Sequence, residues 1–187
     1  ELICTVYGEA EIEQMGMSVR LLDINGDQQA EFAVGAPYAD YNGLDSGRVR
    51  IYEYISNTNS CELVYSLDGQ QGSDQLGTSI AAADFDQDGF DDLAIGAVQA
   101  FSPGYVSIFS GISGALIHTV HGFFARDGFG ASVAEISDVN SDQIPDLIVG
   151  APQWYAFTSG SGYINVYSGL DGTMIFSANG KDVGDWF

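Results

Sequence analysis

The sequence is short of several residue types, and each shortage argues against a class of protein. Only 5 of the 187 residues are lysine or arginine, against 26 aspartates and glutamates. The resulting net charge of −21 repels nucleic acid and anionic membrane surfaces. No apolar run reaches the ~18–20 residues that a membrane-spanning helix requires. We therefore expect no nucleic acid partner and no membrane insertion.

Histidine and cysteine are also scarce. His118 and His121 lie three residues apart in a strand-like segment, so they face opposite sides of the strand and do not suggest a catalytic pair. The sequence therefore predicts a non-enzymatic protein. Cys4 and Cys61 are too few for a disulfide scaffold, and we expect them on outer strands of successive repeat units, too far apart for the ~4.4–6.8 Å Cα spacing of an internal bridge. The alternatives are an internal bridge, a bond to another chain and plain burial.

Sustained helical periodicity is missing, and 24 glycines interrupt the chain. The sequence instead contains one pattern of four strand-like segments that occurs three times. In each copy a Gly-x-Ser segment precedes an acidic loop, an apolar segment ending in Gly-Ala follows the loop, a glycine opens an alternating strand, and a fourth strand completes the unit. The Gly-x-Ser segments are 16–19, 77–80 and 130–133; the Gly-Ala segments are 32–37, 93–98 and 147–152; the third strands follow Gly47, Gly104 and Gly162; the fourth strands are 63–67, 116–120 and 174–177.

Four strands per unit is the content of one β-propeller blade. We therefore predict an all-β chain of three four-stranded units at about 9–68, 69–121 and 122–187, with residues 1–8 forming an outer strand of a preceding blade. Closed propellers use about four to eight blades, so three alone would leave two apolar blade faces bare. The units would belong to a longer propeller chain, a ring completed by a second copy, or a fibre.

The acidic loop is the strongest chemical signal. Its nine residues carry oxygen-bearing side chains at positions 1, 3, 5 and 9 in all three copies. Calcium takes six to eight oxygen ligands at about 2.3–2.6 Å, and a backbone carbonyl at position 7 would add another. The sequence therefore predicts about three Ca²⁺ sites. Their ligands would be Asp23, Asn25, Asp27, Gln29 and Glu31 in the first loop, Asp84, Asp86, Asp88, Phe90 and Asp92 in the second, and Asp138, Asn140, Asp142, Ile144 and Asp146 in the third.

These segments resemble the FG-GAP repeats of the integrin α-subunit N-terminal β-propeller and of related secreted bacterial proteins. The Phe-Gly pair is present at Phe129-Gly130, and Met15-Gly16 and Leu76-Gly77 are apolar variants of it. Gly-Ala-Pro is kept in the first and third copies and becomes Gly-Ala-Val in the second. The resemblance covers nearly the whole chain and implies that the three acidic loops bind calcium.

The loops also depart from the family pattern. The family usually has glycine at loop position 6, where the turn favours a positive φ. Only Gly89 follows this rule, whereas Gln28 and Gln143 take the position in the other loops, at a cost of roughly 1 kcal/mol each. The second loop also has four carboxylates, so we expect it to bind calcium most tightly.

The predicted calcium sites imply a location, and the resemblance implies a binding face. Calcium sites of modest affinity are filled at the millimolar concentrations found outside cells, so we expect an extracellular or cell-surface protein. In the family, the loops after Gly-Ala-Pro and before Phe-Gly form the face that meets ligands. The predicted face comprises Tyr38, Tyr41, Phe101, Trp154, Tyr155 and Phe157, with Phe123, Phe124 and Trp186 as further aromatics, and packing between blades is their alternative role.

Three functions fit these features. The favoured one is a calcium-stabilised adhesion or recognition module that binds a protein or glycan, or further copies or blades of the chain. The first alternative is a structural subunit of an extracellular filament or surface assembly. The second is the propeller portion, catalytic or not, of a secreted carbohydrate-active enzyme.

Overall fold

The computed structural model describes residues 4–27, 29–153 and 160–182, which form three four-stranded antiparallel sheets and no helix. The all-β prediction with three propeller blades is therefore confirmed. Each sheet is a simple meander in which neighbours along the chain are neighbours in the sheet. Sheet 1 contains β1 (Ser18–Leu22), β2 (Glu31–Ala36), β3 (Arg48–Ile55) and β4 (Ser60–Asp68); sheet 2 contains β5 (Leu76–Ala83), β6 (Asp92–Ala97), β7 (Tyr105–Phe109) and β8 (Leu116–His121); sheet 3 contains β9 (Ser132–Ile136), β10 (Asp146–Ala151), β11 (Tyr163–Tyr167) and β12 (Met174–Asn179).

The sheets stack through their first strands, because β5 packs against β1 on one side and β9 on the other. Strand alternation divides the side chains of β5 between two cores. Ile80 and Ala82 point into the core shared with sheet 1, and Ala81 and Ala83 point into the core shared with sheet 3. Sheet 2 is therefore buried on both faces, which explains why nearly every residue of β5 and β6 is apolar or small.

The Gly-x-Ser motif makes a specific contact between successive sheets. Ser18 donates from Oγ to the carbonyl oxygen of Gly77, 2.7 Å away, and Ser79 donates to that of Gly130 at 2.6 Å. The two glycines whose carbonyls accept these bonds, Gly77 and Gly130, have φ of 95° and 86°, a backbone conformation that residues with a side chain rarely adopt. We call this contact the Ser–Gly seam. It fixes the register of one blade on the next.

The prediction for the cysteines was wrong. Cys4 and Cys61 form an internal disulfide with a Cα–Cα distance of 5.9 Å. Residues 4–8 form no strand, so the expected outer strand of a preceding blade is not seen in the described part of this segment. Instead the chain folds back over sheet 1, where Glu9 lies 3.1 Å from the guanidinium of Arg50 on β3, and this brings Cys4 to β4.

The interface between sheets 2 and 3 also contains a half-buried histidine whose ring nitrogens are shielded from solvent. Both ring nitrogens of His118 on β8 lack a hydrogen-bond partner among the described residues. The ring lies against the turn at Gly172, so that a Cβ there would be 2.9 Å from it. Burial lowers the pKa of His118, an effect that nearby Asp171 partly opposes. The folded state therefore favours the neutral imidazole of His118 over the protonated form.

We predict that this histidine makes stability sensitive to acid. Below a pH of about 6.5 the unfolded chain binds a proton that folded His118 resists, so stability falls as pH drops through this window. His118→Gln should flatten the loss between pH 7.5 and 5.5 in urea unfolding at saturating calcium. The matched control is His121→Gln, at an exposed position of the same strand. Equal pH dependence in both variants would contradict the prediction.

Candidate metal loops and binding face

The three acidic loops connect the first and second strands of their sheets, so they lie together at one end of the molecule. They also contact one another. Asp23 and Asp91 join the first two loops, because the Asp23 amide donates to Asp91 Oδ2 at 2.9 Å and the Asp91 amide donates to the Asp23 carbonyl at 3.0 Å. The Gln87 side chain joins the second loop to the third by donating to the carbonyl of Gln143 at 3.2 Å. The loops therefore form one continuous row.

The second loop brings three carboxylates together. Asp84, Asp86 and Asp88 offer oxygens that all lie within 4.8 Å of one another, and this is the one such acidic group among the described residues. The Asp88 amide donates to oxygens of Asp84 and Asp86 at 3.1 Å, and the Gly89 amide donates to Asp84 at 3.0 Å. These bonds curl the backbone so that alternate side chains converge. Hard cations such as Ca²⁺ select this oxygen-only arrangement.

The first and third loops curl in the same way. Asp27 and Asp142 each donate a backbone amide at 2.9 Å to the side-chain oxygen of the asparagine two residues earlier. Asp138 accepts amides from Ser141 at 2.6 Å and from Gln143 at 2.7 Å. The neutral asparagine at position 3 removes one negative charge from each of these loops, so mutual repulsion within them is smaller than in the second loop.

The carboxylate at position 9 is the most buried of the oxygen-bearing side chains in each loop. Glu31, Asp92 and Asp146 are buried, and each accepts the backbone amide of the residue at loop position 2. Asp92 also accepts the amide of Gly111 at 3.0 Å. Burial, with the charges of Asp86 and Asp88, raises the pKa of Asp92 to about 6 against the pull of these amides, and burial raises the pKa of Glu31. A cation at the loop would favour the ionised forms of both groups.

The backbone of the loops shows positive φ at two positions, of which sequence reasoning considered one. At position 6, Gly89 has φ 91° and Gln143 has φ 73°, while Gln28 lies outside the described residues. Position 4 is also left-handed, with Gly26 at 74°, Gln87 at 61° and Ser141 at 70°. The third loop therefore holds two non-glycine residues in this region and the second loop holds one. The order of affinities stays a prediction.

The opposite end of the sheets carries the predicted binding face. Tyr41 is 66% exposed and Phe101 is 69% exposed, whereas Tyr38 is half-buried. Each exposed ring meets an arginine: the guanidinium carbon of Arg48 lies 3.8 Å from the Tyr41 ring centre, and that of Arg126 lies 5.3 Å from the Phe101 ring centre. Phe123 and Phe124 are 50% and 60% exposed. Trp154, Tyr155, Phe157 and Trp186 lie outside the described residues.

A buried acidic residue supports these loops, and sequence reasoning missed it. Asp127 accepts the amides of Phe123 and Phe124 at 3.2 and 3.1 Å and the hydroxyl of Tyr163. Asp74 plays the same part before sheet 2, where it accepts the hydroxyl of Tyr105 at 2.9 Å. The signal was an acidic residue three positions before each Gly-x-Ser glycine. Glu13, Asp74 and Asp127 occupy that position in the three copies.

The cavities on this face are small. One of about 150 Å³ is lined by Tyr38, Gln75, Val98, Gln99, Ala100, Arg126 and Gly128, and one of about 260 Å³ lies beside Asp74, Tyr105 and His121. Pockets for small ligands usually measure about 300–1,000 Å³. Exposed rings around a shallow opening suit a macromolecular partner better than a small molecule.

Three meander sheets stacked through their first strands, with acidic hairpin loops at one end, define a chain of propeller blades. The FG-GAP repeat model matches residues 15–52 and 76–109. The chain is thus an FG-GAP repeat protein, and its sequence resembles integrin α subunits. It is 28% identical to integrin alpha-PS2 of Drosophila melanogaster over 83% of the chain, 26% identical to integrin alpha-5 of Xenopus laevis over 91%, and 32% identical to integrin alpha-V of Gallus gallus over 77%.

The chain spans only 12–17% of the length of these three relatives. A solved structure, that of rhamnogalacturonan lyase YesW, superposes with a TM-score of 0.56 over 90% of the chain and 35% of its own length. At 16% sequence identity this likeness shows the fold alone. Within the described residues there is also no helix with the length and hydrophobicity to span a bilayer.

Proposed function

We propose that the chain is a calcium-stabilised, non-enzymatic recognition module of an extracellular or cell-surface protein. Its partner is a protein, bound through the end of the sheets opposite the acidic loops. The main observation behind this proposal is the set of exposed aromatic rings at that end, because Tyr41 and Phe101 contact arginines and are exposed to solvent. Tyrosine, phenylalanine and arginine are enriched in protein interfaces. The similarity to integrin α subunits supports the same role.

Calcium would hold the opposite end in shape. The oxygens at positions 1, 3 and 5 of each loop, with the carbonyls of Gln29, Phe90 and Ile144, would supply ligands. The carboxylates at position 9 would complete each site directly or through water. The ion's contribution is structural, since it neutralises side chains that folding crowds together. Millimolar calcium outside cells would fill sites of modest affinity.

A structural role in a surface assembly is the second candidate. The observation favouring it is the set of exposed apolar side chains on the outer faces of sheets 1 and 3, such as Val19 and Phe176. The carbohydrate-enzyme alternative is supported only by the fold of the lyase neighbour.

The binding proposal can be tested with panels of immobilised extracellular-matrix proteins and of glycans in calcium buffer. We expect a protein hit that Tyr41→Ser with Phe101→Ser weakens at least tenfold. The matched control is Val139→Ser, which removes an exposed apolar side chain from the acidic-loop end. Binding to glycans alone, or equal binding by both variants, would contradict the proposal.

A further inference from the structure

A polar cleft of about 260 Å³ lies beside the third and fourth strands of sheet 2. Ser107 on β7 pairs with Thr119 on β8. Tyr105 pairs with His121 two residues away, so these four side chains share one face of the sheet. The loop between β4 and β5 and the loop after β6 supply the rest of the lining: Gln70, Gln71, Asp74 and Gln99. The cleft is therefore bordered almost entirely by side chains that form hydrogen bonds.

Asp74 is the acidic residue of this lining, and its carboxylate is already surrounded by donors. One oxygen accepts the backbone amides of Gln70 and Gln71, at 2.9 and 3.1 Å. The same oxygen accepts the hydroxyl of Tyr105 at 2.9 Å, and the other accepts the side-chain amide of Gln99 at 2.8 Å. Because Asp74 is only 1% exposed, its role is to fix the shape of the cleft.

The other polar groups of the cleft keep their capacity for hydrogen bonds. The hydroxyls of Ser107 and Thr119 bond to each other at 2.8 Å, which uses only one of their two hydrogens. The ring nitrogens of His121 and the side-chain amides of Gln70 and Gln71 form no hydrogen bond with a described residue. Hydroxyls and amides donate and accept without a net charge. The cleft thus offers neutral donors and acceptors to a ligand.

The three repeat units treat the equivalent position differently. Glu9, Gln70 and Phe123 each follow a glycine, and each donates its backbone amide to the buried acidic residue four positions later. In the first unit the carboxylate of Glu9 lies 3.1 Å from the guanidinium of Arg50. In the third unit the ring of Phe123 stacks on Tyr163, with centroids 5.2 Å apart. The cleft of sheet 2 therefore lies where the other two units place a contact of their own.

We propose that this cleft binds one neutral sugar residue at the end of a glycan. Sugar hydroxyls both donate and accept, which matches the uncharged amides and hydroxyls of the lining. The net charge of −21 disfavours a sulfated sugar or a uronic acid. The volume lies below the about 300–1,000 Å³ of pockets for drug-sized ligands, so a single residue fits while the rest of the glycan stays in solvent. The site does not depend on the proposed protein partner, because neither Tyr41 nor Phe101 lines it.

NMR titration of the isotope-labelled chain in calcium buffer tests this proposal. The neutral probes are the methyl glycosides of glucose, galactose, mannose and N-acetylglucosamine, and the charged probe is glucuronic acid. We expect at least one neutral probe to shift the amide signals of Gln70, Gln71 and Thr119 saturably. Glucuronic acid should bind at least about tenfold more weakly than that probe. Binding of a free sugar but not of its methyl glycoside would overturn the assignment to a glycan.

Two variants locate the sugar in the cleft. Gln70→Phe copies Phe123 and places a ring over Tyr105, so it should abolish the binding. Thr119→Val keeps the shape of the side chain but removes its hydroxyl, and it should weaken the binding severalfold. The matched control is Thr58→Val, in the exposed turn between β3 and β4 at the acidic-loop end, which should bind as the wild type does.

Melting curves and circular dichroism would show that the variants fold, and Thr119→Val carries the test if Gln70→Phe does not. The proposal is overturned if no neutral probe shifts the cleft signals, if both variants bind as the wild type does, or if glucuronic acid binds equally well. A sugar that binds without any protein partner, or a protein partner without sugar binding, would decide the two proposals separately.

Discussion

Removing calcium with EGTA is expected to lower the melting temperature of this protein more than any single substitution. Each loop crowds three or four carboxylate or amide oxygens within a few residues, and an ion that binds only the folded loop stabilises it by mass action. A site filled at 100 times its dissociation constant adds about 2.7 kcal/mol. For a domain of this size 1 kcal/mol shifts the melting temperature by about 2–4 °C, so each filled site adds about 5–10 °C.

The contribution of one site can be isolated with Asp84→Asn. Asp84 belongs to the tightest acidic group, and its oxygens also accept the amides of Asp88 and Gly89. Asp40→Asn is the matched control, because it makes the same charge change at an exposed position in the loop between β2 and β3, at the other end of the sheets. Calorimetric titration should show about one fewer calcium ion for Asp84→Asn and the full number for Asp40→Asn. Equal melting in EGTA and in calcium would refute the calcium proposal.

The contacts between loops give this experiment a second outcome. Since Gln87 of the second loop donates to the carbonyl of Gln143, disorder in one loop is transmitted to the next. Asp91 links the second loop to the first in the same manner. We therefore expect Asp84→Asn to weaken the neighbouring sites by a smaller factor, which the shape of the titration curve would show.

The sequence predicted the fold well because the repeat states each element three times. Gly47, Gly104 and Gly162 directly precede the third strands. The alternation of apolar and polar residues identifies which side chains face a neighbouring sheet. The positions of the acidic loops were equally readable, since oxygen donors recur at alternate positions of a short loop, and calcium binding by these loops stays a prediction. A pattern repeated in three copies also excludes most chance interpretations of any single copy.

Long-range pairing was not readable from the sequence. The residues around Cys4 do not predict that residues 4–8 fold back over sheet 1, because this path depends on distant arginines of β3 that attract Glu9 and Glu13. The left-handed backbone at loop position 4 was missed for a different reason. Only the first copy has a glycine there, Gly26, whereas Gln87 and Ser141 are residue types that do not predict a positive φ.

The buried pair between Glu13 and Arg50 is the second feature whose loss should be severe. Glu13 accepts two hydrogen bonds from the guanidinium of Arg50, at 3.1 and 3.2 Å, and both side chains are almost fully buried. Glu13→Ala would leave the arginine buried with only the exposed Glu9 as its acidic partner at 3.1 Å. Removing one member of a buried ion pair costs about 3–5 kcal/mol, and Glu9 should keep the loss near the lower figure.

Urea unfolding of Glu13→Ala beside Glu11→Ala measures this cost, because Glu11 is an exposed glutamate in the same segment. We expect Glu11→Ala to lie within about 0.5 kcal/mol of the wild type. The double variant Glu13→Gln with Arg50→Met should recover much of the loss, since it removes both charges and leaves neither stranded. If Glu13→Ala were no less stable than Glu11→Ala, the buried pair would not be what holds residues 9–17 against sheet 1. With recovery in the double variant, the loss in Glu13→Ala is the cost of an arginine without its buried partner.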